Sequence, residues 1–482
     1  MIHRRDDETH RTDRAAAARA LGGSTSPRRP LYVAVADPGS LDQFGEQTRA
    51  NDPARWPEYP AQLRRARAVT GAPHAVTTGV ATVGGHACVL IGFEFPFLGG
   101  SVGEAEGAKI AAAFGLAVSQ GLPVVSVAAS GGMRMQEGTS SLVQMHVIAA
   151  AIAAARRAGI PHVAVAGNPT TGGMWASLVA SADVIIGTDG AQVSFSGSRT
   201  RPEGADPAAP EFAAEGQHAG GFLDLVVPAD RLREEVTAVV GLLSPRTRGA
   251  APASAPLPDA AEPAGPVSGW AQVSRARGEH TGTAARAEEW LADYFASRFE
   301  IRGDRAGAVD RGLRCGFGSR DGATLGFIAQ TGRPTTAAGF RTAARLLTLA
   351  ERFDRPVLTL IDTPGAASGP QDEAAGVGPA IAELLVAVAS ASVPVTSVIV
   401  GEGVSGGALA LASPGELWLT AEGYLAVTSP EHAASILKLP ASAAPQVAEQ
   451  LRLTPADLVR QGIARGIVRQ PPARAGQSCD PR

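Results

Sequence analysis

Cysteine and aromatic residues are scarce in this chain of 482 residues. The three cysteines, Cys88, Cys315 and Cys479, are far apart and form no CxxC pair. This spacing argues against a disulfide framework within the chain and against a zinc site made of cysteines, and we expect no bound metal. Aromatic residues make up 5% of the sequence, whereas there are 57 glycines. We therefore expect cores of small aliphatic side chains with close backbone contacts.

An excess of one charge and long apolar stretches are also missing. The formal net charge is −3 at pH 7, so the charge balance gives no reason to expect nucleic-acid binding. The longest apolar stretches, such as residues 148–155, are too short for a transmembrane helix. The polar N-terminus lacks the apolar segment of a secretion signal. These absences predict a cytoplasmic enzyme that contacts neither nucleic acid nor membrane.

Composition divides the chain into two ordered blocks. Residues 1–29 are polar and predict a disordered tail, and residues 471–482 form a second polar tail. The stretch 244–284 begins with a segment that is dense in proline, alanine and glycine, which indicates a linker. The remaining blocks, 30–243 and 285–470, are each long enough for a domain with its own core.

The two blocks repeat one another at an offset of 233 residues. The stretch LPVVSVAASGG, which ends at Gly132, aligns with RPVLTLIDTPG, which ends at Gly365. The same offset pairs Gly173 with Gly406, and no gap is needed over residues 123–197. Identity is low, but apolar runs, prolines and glycines agree in register. We interpret the repeat as an ancient internal duplication.

Each copy alternates short apolar strands with alanine-rich helical stretches. A strand ends in a glycine-containing turn, a helical stretch follows, and a second strand ends in another glycine turn. Strands connected through helices are expected to run parallel, because the helix carries the chain back across the sheet. The sequence therefore predicts an α/β protein with two domains that arose by duplication.

The glycine turns indicate a function for the backbone. In each copy the two turns are equally spaced, because Gly132 precedes Gly173 by 41 residues and Gly365 precedes Gly406 by 41. The first N–H groups of a helix lack intrahelical acceptors, and glycine lets a ligand oxygen approach them. Two such turns can direct two N–H groups at one oxygen and so form an oxyanion hole. The alternatives are plain tight turns and a phosphate cradle, but no GxxxxGK[ST] motif occurs.

Particular motifs carry a family resemblance. FEFPFLGGSVGEAEGAKI, ASGGMRMQEGTSSLVQM and NPTTGGMWASLVASADVIIG resemble the beta subunit of acetyl-CoA carboxylase carboxyltransferase. VIVGEGVSGGALALA, VTSPEHAASIL and the stretch from GRPTTAAGF to LIDTPGA resemble its alpha subunit. The likeness covers residues 72–197 and 290–466, so the chain resembles a beta–alpha fusion and is similar to one-chain acyl-CoA carboxylase beta subunits. It implies two crotonase-type (ClpP-like) domains.

The resemblance implies a carboxyltransferase of fatty acid biosynthesis. Such an enzyme moves a carboxyl group from carboxybiotin to acetyl-CoA or a related short acyl-CoA, giving malonyl-CoA-type products. Carboxybiotin would arrive on a separate biotin carboxyl carrier protein that a biotin carboxylase loads. The beta-type domain would hold the acyl-CoA and the alpha-type domain the biotin. In the family the active site lies between domains of different protomers, so a homo-oligomer is also implied.

The resemblance also implies site residues. The N–H groups around Gly131, Gly132 and Met133 would hold the thioester oxygen, and those around Gly406, Gly407 and Ala408 the ureido oxygen of biotin. Arg134 would bind the migrating carboxylate; the alternative is a structural arginine paired with Glu137 or Asp183. Six further residues would line the substrate sites: Gly99, Gly100, Gly172, Gly173, Gly365 and Ala366. Arg64 and Lys109 would bind CoA phosphates; the alternative for these two is a solvated surface charge.

Departures from the family keep other functions open. The chain lacks the four-cysteine zinc ribbon of the bacterial beta subunit, and Ala367 and Ser368 stand where the alpha family usually has Tyr-Pro. Lys438 is out of step with the lysine of the family's Trp-Lys-Ser-Ala segment. The alternatives are a crotonase-like CoA-ester hydrolase, decarboxylase or hydratase, and a non-catalytic subunit of a carboxylase complex. Hydration would need paired carboxylates, for which Glu104, Glu137 and Glu373 are the candidates.

Overall fold

The structure is a computed structural model, and it describes most of the chain. The described residues are 29–45, 52, 55–198, 200–201, 203–206, 208–244, 252–261, 267–278 and 286–470. The two predicted tails lie outside the described residues except for Arg29. No helix in the described part is both long and apolar enough to cross a membrane.

The first half contains one mixed sheet with helices on its faces. The strands are β1 Asp42–Phe44, β2 Val76–Val83, β3 His86–Phe93, β4 Val124–Ser130, β5 His162–Thr171, β6 Val184–Thr188, β7 Val193–Ser194 and β8 Leu225–Val227. The helices are α1 Leu31–Val35, α2 Tyr59–Thr70, α3 Glu104–Gln120, α4 Thr139–Arg157, α5 Gly172–Met174, α6 Ala214–Ala219 and α7 Leu232–Leu243.

The second half is built in the same way. Its strands are β9 Ser297–Ile301, β10 Leu313–Arg320, β11 Ala323–Gln330, β12 Val357–Thr363, β13 Val395–Val404, β14 Leu417–Thr420, β15 Tyr424–Ala426 and β16 Gly466–Val468. Its helices are α8 Gly269–Gly278, α9 Arg286–Tyr294, α10 Ala337–Arg352, α11 Pro370–Ala374, α12 Val377–Ala389, α13 Ser405–Leu409, α14 Pro430–Ile436, α15 Ala444–Gln450 and α16 Pro455–Arg460.

The two sheets have the same topology. The first has the order β1-β2-β3-β4-β5-β6-β8 with β7 on β5, and the second has the order β9-β10-β11-β12-β13-β14-β16 with β15 on β13. In both, the first three strands are antiparallel and the later pairs are parallel. The predicted α/β class and internal duplication are confirmed.

The offset of 233 residues holds in three dimensions. Strands β4 and β12 begin and end at positions that differ by 233, as do β5 and β13. Even the irregularity repeats, because the β4–β5 register shifts between Ala128 and Ser130 and the β12–β13 register shifts between Ile361 and Thr363. The glycines at the ends of β4 and β12 share an unusual backbone, since φ is 111° at Gly132 and 128° at Gly365.

The halves are joined by a continuous core. Alternating side chains of each parallel strand face opposite sides, so Val125 and Val127 of β4 enter the same hydrophobic cluster as Phe340 and Leu346 of α10. A buried carboxylate, Asp224 of the first half, adds a polar link between the halves. It accepts hydrogen bonds from Arg305 and Arg345 of the second half and from two backbone N–H groups.

Part of the stretch predicted as a linker is folded onto the second half. Helix α8 lies within residues 244–284, and the amide of Gln272 donates to the carbonyls of Ala421 and Gly423. Residues 259–261 hydrogen-bond to strand β16. The composition of this stretch predicted an open connector because it is rich in alanine and glycine. Its few apolar side chains that pack against the second half, such as Val273, are too sparse to form a recognisable pattern.

Candidate active site

The first glycine turn, at the carboxyl end of β4, is held by one hydrogen bond within the turn and by two to Gly99 and Gly100. The Ser130 hydroxyl donates to the carbonyl of Gly100 at 2.7 Å and accepts from the N–H of Gly132 at 3.1 Å. The N–H of Gly131 donates to the carbonyl of Gly99 at 2.9 Å. Both glycine N–H groups are therefore bonded within the protein and are unavailable to a ligand.

The next N–H group, that of Met133, is different. Neither it nor the N–H of Gly173 has a hydrogen-bond partner among the residues that the structure describes. The two turns lie against one another, because a Cβ added at Gly132 would lie 3.5 Å from the nitrogen of Gly173. The structure thus brings two unpaired N–H donors together, one from the β4 turn and one from the start of α5. An oxyanion hole requires two such donors close together and directed at one oxygen.

The second half repeats this geometry. The Thr363 hydroxyl accepts from the N–H of Gly365 at 3.1 Å, as Ser130 does for Gly132. The N–H of Ala367 donates to Thr335. The N–H of Ala366, between them, has no partner among the described residues.

Helix α13 supplies the second donor of this half. Gly406 and Gly407 lie in its first turn, where N–H groups have no intrahelical acceptor. A Cβ added at Gly407 would lie only 2.4 Å from the nitrogen of Ala366, so the turns are in close contact. Gly406 has open space around its Cα, which leaves room for a ligand.

Four of the predicted residues occupy equivalent repeat positions and have N–H groups without a partner among the described residues: Met133 and Gly173 in the first half, and Ala366 and Gly406 in the second. The N–H groups of Gly100, Gly131, Gly132, Gly172 and Gly365 are bonded within the protein. The remaining predicted residues, Gly99, Gly407 and Ala408, lie in the same turns, and their N–H groups also lack an acceptor in the described part of the chain. Sequence reasoning missed the hydroxyl residues Ser130 and Thr363, although their identical repeat position was a usable signal.

Arg134 requires a correction. Its side chain is 0% exposed and forms ion pairs with Glu106 at 2.8 Å and Glu137 at 3.2 Å. It also donates to the carbonyl of Ser101. A guanidinium with its donors used in this way cannot reach a migrating carboxylate, so the alternative prediction of a structural pair with Glu137 applies. Asp183, the other suggested partner, pairs with Arg352 instead.

The charges of this cluster are strongly stabilised. Burial alone would raise the pKa of Glu106, but the His74 imidazole, 3.8 Å from the carboxylate, and the Arg134 charge lower the pKa to about 2. Burial raises the pKa of Tyr59, whose hydroxyl donates to Glu137 at 2.5 Å. The Glu106 carboxylate therefore stays ionised beside Arg134 through the physiological pH range.

The two cations predicted to meet CoA phosphates differ in exposure. Lys109 is 4% exposed on helix α3, so it is not a surface charge of this chain. Arg64 is exposed on helix α2, next to Arg65, and the two line a shallow pocket with Glu58. Of the two predicted residues, only Arg64 is accessible to a phosphate from solvent.

A buried acid lies near the end of β12, three residues before Gly365. Asp362 precedes the glycine turn and accepts from the N–H of Glu402 at 2.9 Å. Burial raises its pKa to about 6. At the end of β11, the Gln330 amide donates to the carbonyl of Gly407 and to the Thr335 hydroxyl, both at 3.0 Å. Within the described ranges no three His, Cys, Asp or Glu side chains cluster as metal ligands would.

Family comparisons agree with the motifs. Residues 265–480 match the family described as acetyl co-enzyme A carboxylase carboxyltransferase-like, and residues 47–202 match the carboxyl transferase domain. The acetyl-coenzyme A carboxylase carboxyl transferase subunits beta/alpha of Salinispora arenicola are 38% identical over 461 residues, which is 91% of this chain and 81% of the relative. The corresponding protein of Clostridium tetani is 30% identical over 92% of this chain and 79% of its own length.

Solved structures show the same fold. The transcarboxylase 12S hexamer structure has a TM-score of 0.73 at 21% identity and covers 95% of this chain and 88% of its own. A single-chain, multi-domain long-chain acyl-CoA carboxylase has a TM-score of 0.72 at 21% identity over 95% of this chain and 46% of its own. The expected pair of crotonase-type domains is confirmed. Together with the relatives above, this shows that the chain belongs to the acetyl-CoA carboxylase carboxyl transferase family, as a fusion of the beta and alpha parts.

Proposed function

We propose that this chain transfers a carboxyl group from carboxybiotin, carried on a separate protein, to the α-carbon of a short acyl-CoA such as acetyl-CoA. The observation that carries the proposal is the duplicated pair of holes. Each half keeps two unpaired backbone N–H groups at equivalent positions, Met133 with Gly173 and Ala366 with Gly406. A protein that needed only one such hole would have no reason to retain both.

The reaction develops negative charge on two oxygens. When the N–C bond of carboxybiotin breaks, the ureido oxygen becomes anionic, and when the α-proton leaves the acyl group, the thioester oxygen becomes an enolate oxygen. The biotin anion takes that proton, and the enolate carbon forms the new C–C bond to the released carboxyl group. Each hole donor is worth about 3–4 kcal/mol in enzymes where one has been removed. No side-chain base is required, which agrees with the backbone character of both sites.

Each half of the chain would bind a different substrate. By resemblance, the first hole faces the acyl-CoA thioester and the second the biotin ureido oxygen. Gly99, Gly100, Gly172 and Gly365 would shape the walls. On the first side Arg64 and Arg65 are exposed and supply charge that suits CoA phosphates.

Partners follow from what the reaction consumes. A biotin carboxylase and a biotin carboxyl carrier protein would regenerate and deliver the carboxylated substrate, in the cytoplasm, for fatty acid biosynthesis.

A second copy of the chain is also proposed, because apolar side chains remain exposed on two helices. Leu142 and Val143 of α4 are 57% and 48% exposed, and Val386 of α12 is 67% exposed. Packing α4 of one copy against α12 of another would cover both surfaces.

The test is reconstitution of the wild-type chain with its partners. The chain is mixed with biotin carboxylase, biotinylated carrier, ATP and labelled bicarbonate, and acetyl-, propionyl- and butyryl-CoA are supplied in turn. We expect acid-stable label in the carboxyacyl-CoA only when all components are present. Release of free CoA without label would indicate a hydrolase, and loss of CO2 from malonyl-CoA a decarboxylase.

Two further alternatives have distinct outcomes. A hydratase would add water to an enoyl-CoA and needs two carboxylates, but Glu137 is buried in the Arg134 cluster. A non-catalytic subunit would bind the partners and leave their activity unchanged when it is omitted. The proposal is wrong if no labelled product forms under conditions in which the carrier is shown to be carboxylated.

A further inference from the structure

A fully buried ion cluster directly follows the first hole donor. Arg134, one residue after Met133, is 0% exposed and pairs with Glu106 and Glu137, which are 0% and 1% exposed. Charges removed from water stabilise a fold only when their hydrogen bonds are satisfied. Here the guanidinium bonds to both carboxylates, to the Tyr59 hydroxyl and to the Ser101 carbonyl.

The cluster ties three segments of the first half to this one side chain. Tyr59 is the first residue of α2, and its hydroxyl donates to Glu137 at 2.5 Å. Glu106 lies in the first turn of α3 and accepts from the N–H of Gly103 at 3.1 Å. Glu137 lies just before α4 and accepts from the N–H of Glu104 at 2.7 Å. Each segment therefore limits where the guanidinium can lie.

Backbone bonds to Val102 hold the turn of the hole, and the guanidinium bonds to the carbonyl of Ser101, the residue before Val102. The N–H of Arg134 donates to the carbonyl of Val102 at 2.8 Å, and the N–H of Val102 donates to the carbonyl of Gly132 at 3.0 Å. Met133 lies between these two bonds, so its peptide plane is held from both sides while its own N–H stays unpaired. We propose that Arg134 is a positioning residue, which aims the Met133 N–H at the thioester oxygen through its buried cluster with Glu106, Glu137 and Tyr59. This inference rests on the function proposed above.

The second half shows that the fold does not need this arginine. The equivalent position is Ala367, whose N–H makes the equivalent backbone bond to Thr335, as Arg134 does to Val102. Within the described residues, the turn of β12 and the first turn of α13 form there without an ion cluster, and the neutral Gln330 amide is bonded to Gly407. Because the same backbone unit exists without the charges, we infer that the cluster serves a requirement of the first hole.

The experiment compares Arg134→Lys with a matched control in the full-length chain. The control is Arg345→Met, which removes a half-buried arginine that pairs with Asp224. Arg345 also contacts the carbonyl of Asp183, at the amino end of β6, which is the opposite end of the sheet from the glycine turns. Loss of its ion pair should therefore destabilise the fold without moving the hole. Both variants are assayed in the reconstituted reaction, with thermal unfolding measured alongside.

A misplaced Met133 N–H would stabilise the enolate less and would hardly change the affinity for acyl-CoA. We therefore expect Arg134→Lys to lower kcat about 100-fold while KM for acyl-CoA and for carboxylated carrier stay within about twofold. Arg345→Met should lower the unfolding temperature and leave kcat within about twofold of wild type. Tyr59→Phe removes one hydroxyl from the cluster, is milder for folding, and should lower kcat about fivefold with KM unchanged.

The outcomes separate this inference from the proposed function. An inactive wild-type chain overturns the proposed function and this inference with it. An active wild type with Arg134→Lys or Tyr59→Phe at wild-type kcat overturns this inference alone. So does a loss of kcat in Arg345→Met that equals the loss in the cluster variants, because the effect would then follow stability. If Arg134→Lys does not fold, Tyr59→Phe decides by the same criterion.

Discussion

Ser130 and Thr363 occupy the same position of the duplicated unit, and each accepts a hydrogen bond from the N–H of the glycine two residues later, at 3.1 Å in both halves. This bond removes the glycine N–H from the site and leaves the following residue, Met133 or Ala366, as the donor. Under the proposed function, these two hydroxyl residues determine which peptide group of each turn is left to bind a substrate oxygen.

Removing these hydroxyls should loosen the turns. Ser130→Ala leaves the Gly132 N–H and the Gly100 carbonyl without their partner, and Thr363→Val does the same for Gly365. We expect each variant to lose about 1–3 kcal/mol of unfolding free energy, measured by urea denaturation. Transfer should also slow about tenfold, because the Met133 or Ala366 donor is no longer fixed. Thr363→Ser keeps the hydroxyl and should stay near wild type; an equal loss in this variant would contradict the assigned role.

Asp362 should make stability depend on pH. Burial raises its pKa in the folded protein to about 6, above the ordinary value of 3.8. The folded chain therefore holds a proton that the unfolded chain releases between these pH values, so this residue destabilises the fold increasingly as pH rises from about 4 to 6. At pH 7.5 Asp362→Asn should be more stable than wild type by up to about 3 kcal/mol.

The measurement is the difference in unfolding temperature between Asp362→Asn and wild type from pH 4 to 7.5. The difference should be largest at pH 7.5 and should vanish near pH 4. Taking the difference cancels the titration of the other carboxyl groups. Asp354→Asn, at an exposed position, serves as the control substitution. A difference that grows on acidification would have the wrong sign for a buried carboxyl group.

The two halves should unfold together. Asp224 of the first half is fully buried and bonded to Arg305 and Arg345 of the second. The charge of Arg305 lowers the pKa of Asp224 although burial opposes this shift. Asp224→Ala leaves these arginines without their partner and should cost about 3–5 kcal/mol. Urea unfolding followed by circular dichroism should show one transition at lower denaturant; two separate transitions in the wild type would show that the shared core does not couple the halves.

Local patterns allowed most of the fold to be predicted from the sequence. Apolar strands that end in glycine turns recur at one offset, and β4 and β12 lie at the positions that this offset requires. The identity of the free N–H groups could not be predicted, because it depends on where single hydroxyls such as Ser130 point. Arg134 was misassigned for a similar reason: its partner Glu106 and its neighbour Tyr59 are 28 and 75 residues away in sequence. Such pairings arise only when the first turns of helices α2 and α3 come together around Arg134.

The last prediction concerns the division of labour between the two holes. Substitutions with added bulk test it, since the donors are backbone groups. Gly132 and Gly407 are poor sites for this purpose: φ at Gly132 is 111°, and a Cβ at Gly407 would meet the Ala366 nitrogen at 2.4 Å. Gly131 and Gly406 are better, because the nearest atom to a Cβ lies 3.6 Å away at Gly131 and none lies within 4 Å at Gly406. Both variants should therefore fold.

We expect Gly131→Val to crowd the first hole and to weaken acyl-CoA binding or abolish enolate formation, whereas Gly406→Val should impair transfer from carboxybiotin and leave acyl-CoA binding intact. The rates should fall about 100-fold or more, as on loss of one hole donor. The control is Gly115→Val, an exposed position of helix α3 with open space around it, which should retain activity. Calorimetry with acyl-CoA and transfer kinetics with free carboxybiotin separate the two effects. Equal loss of acyl-CoA binding in both folded variants would contradict the division of labour. Added bulk at Gly406 could affect acyl-CoA only if a single hole served both substrates.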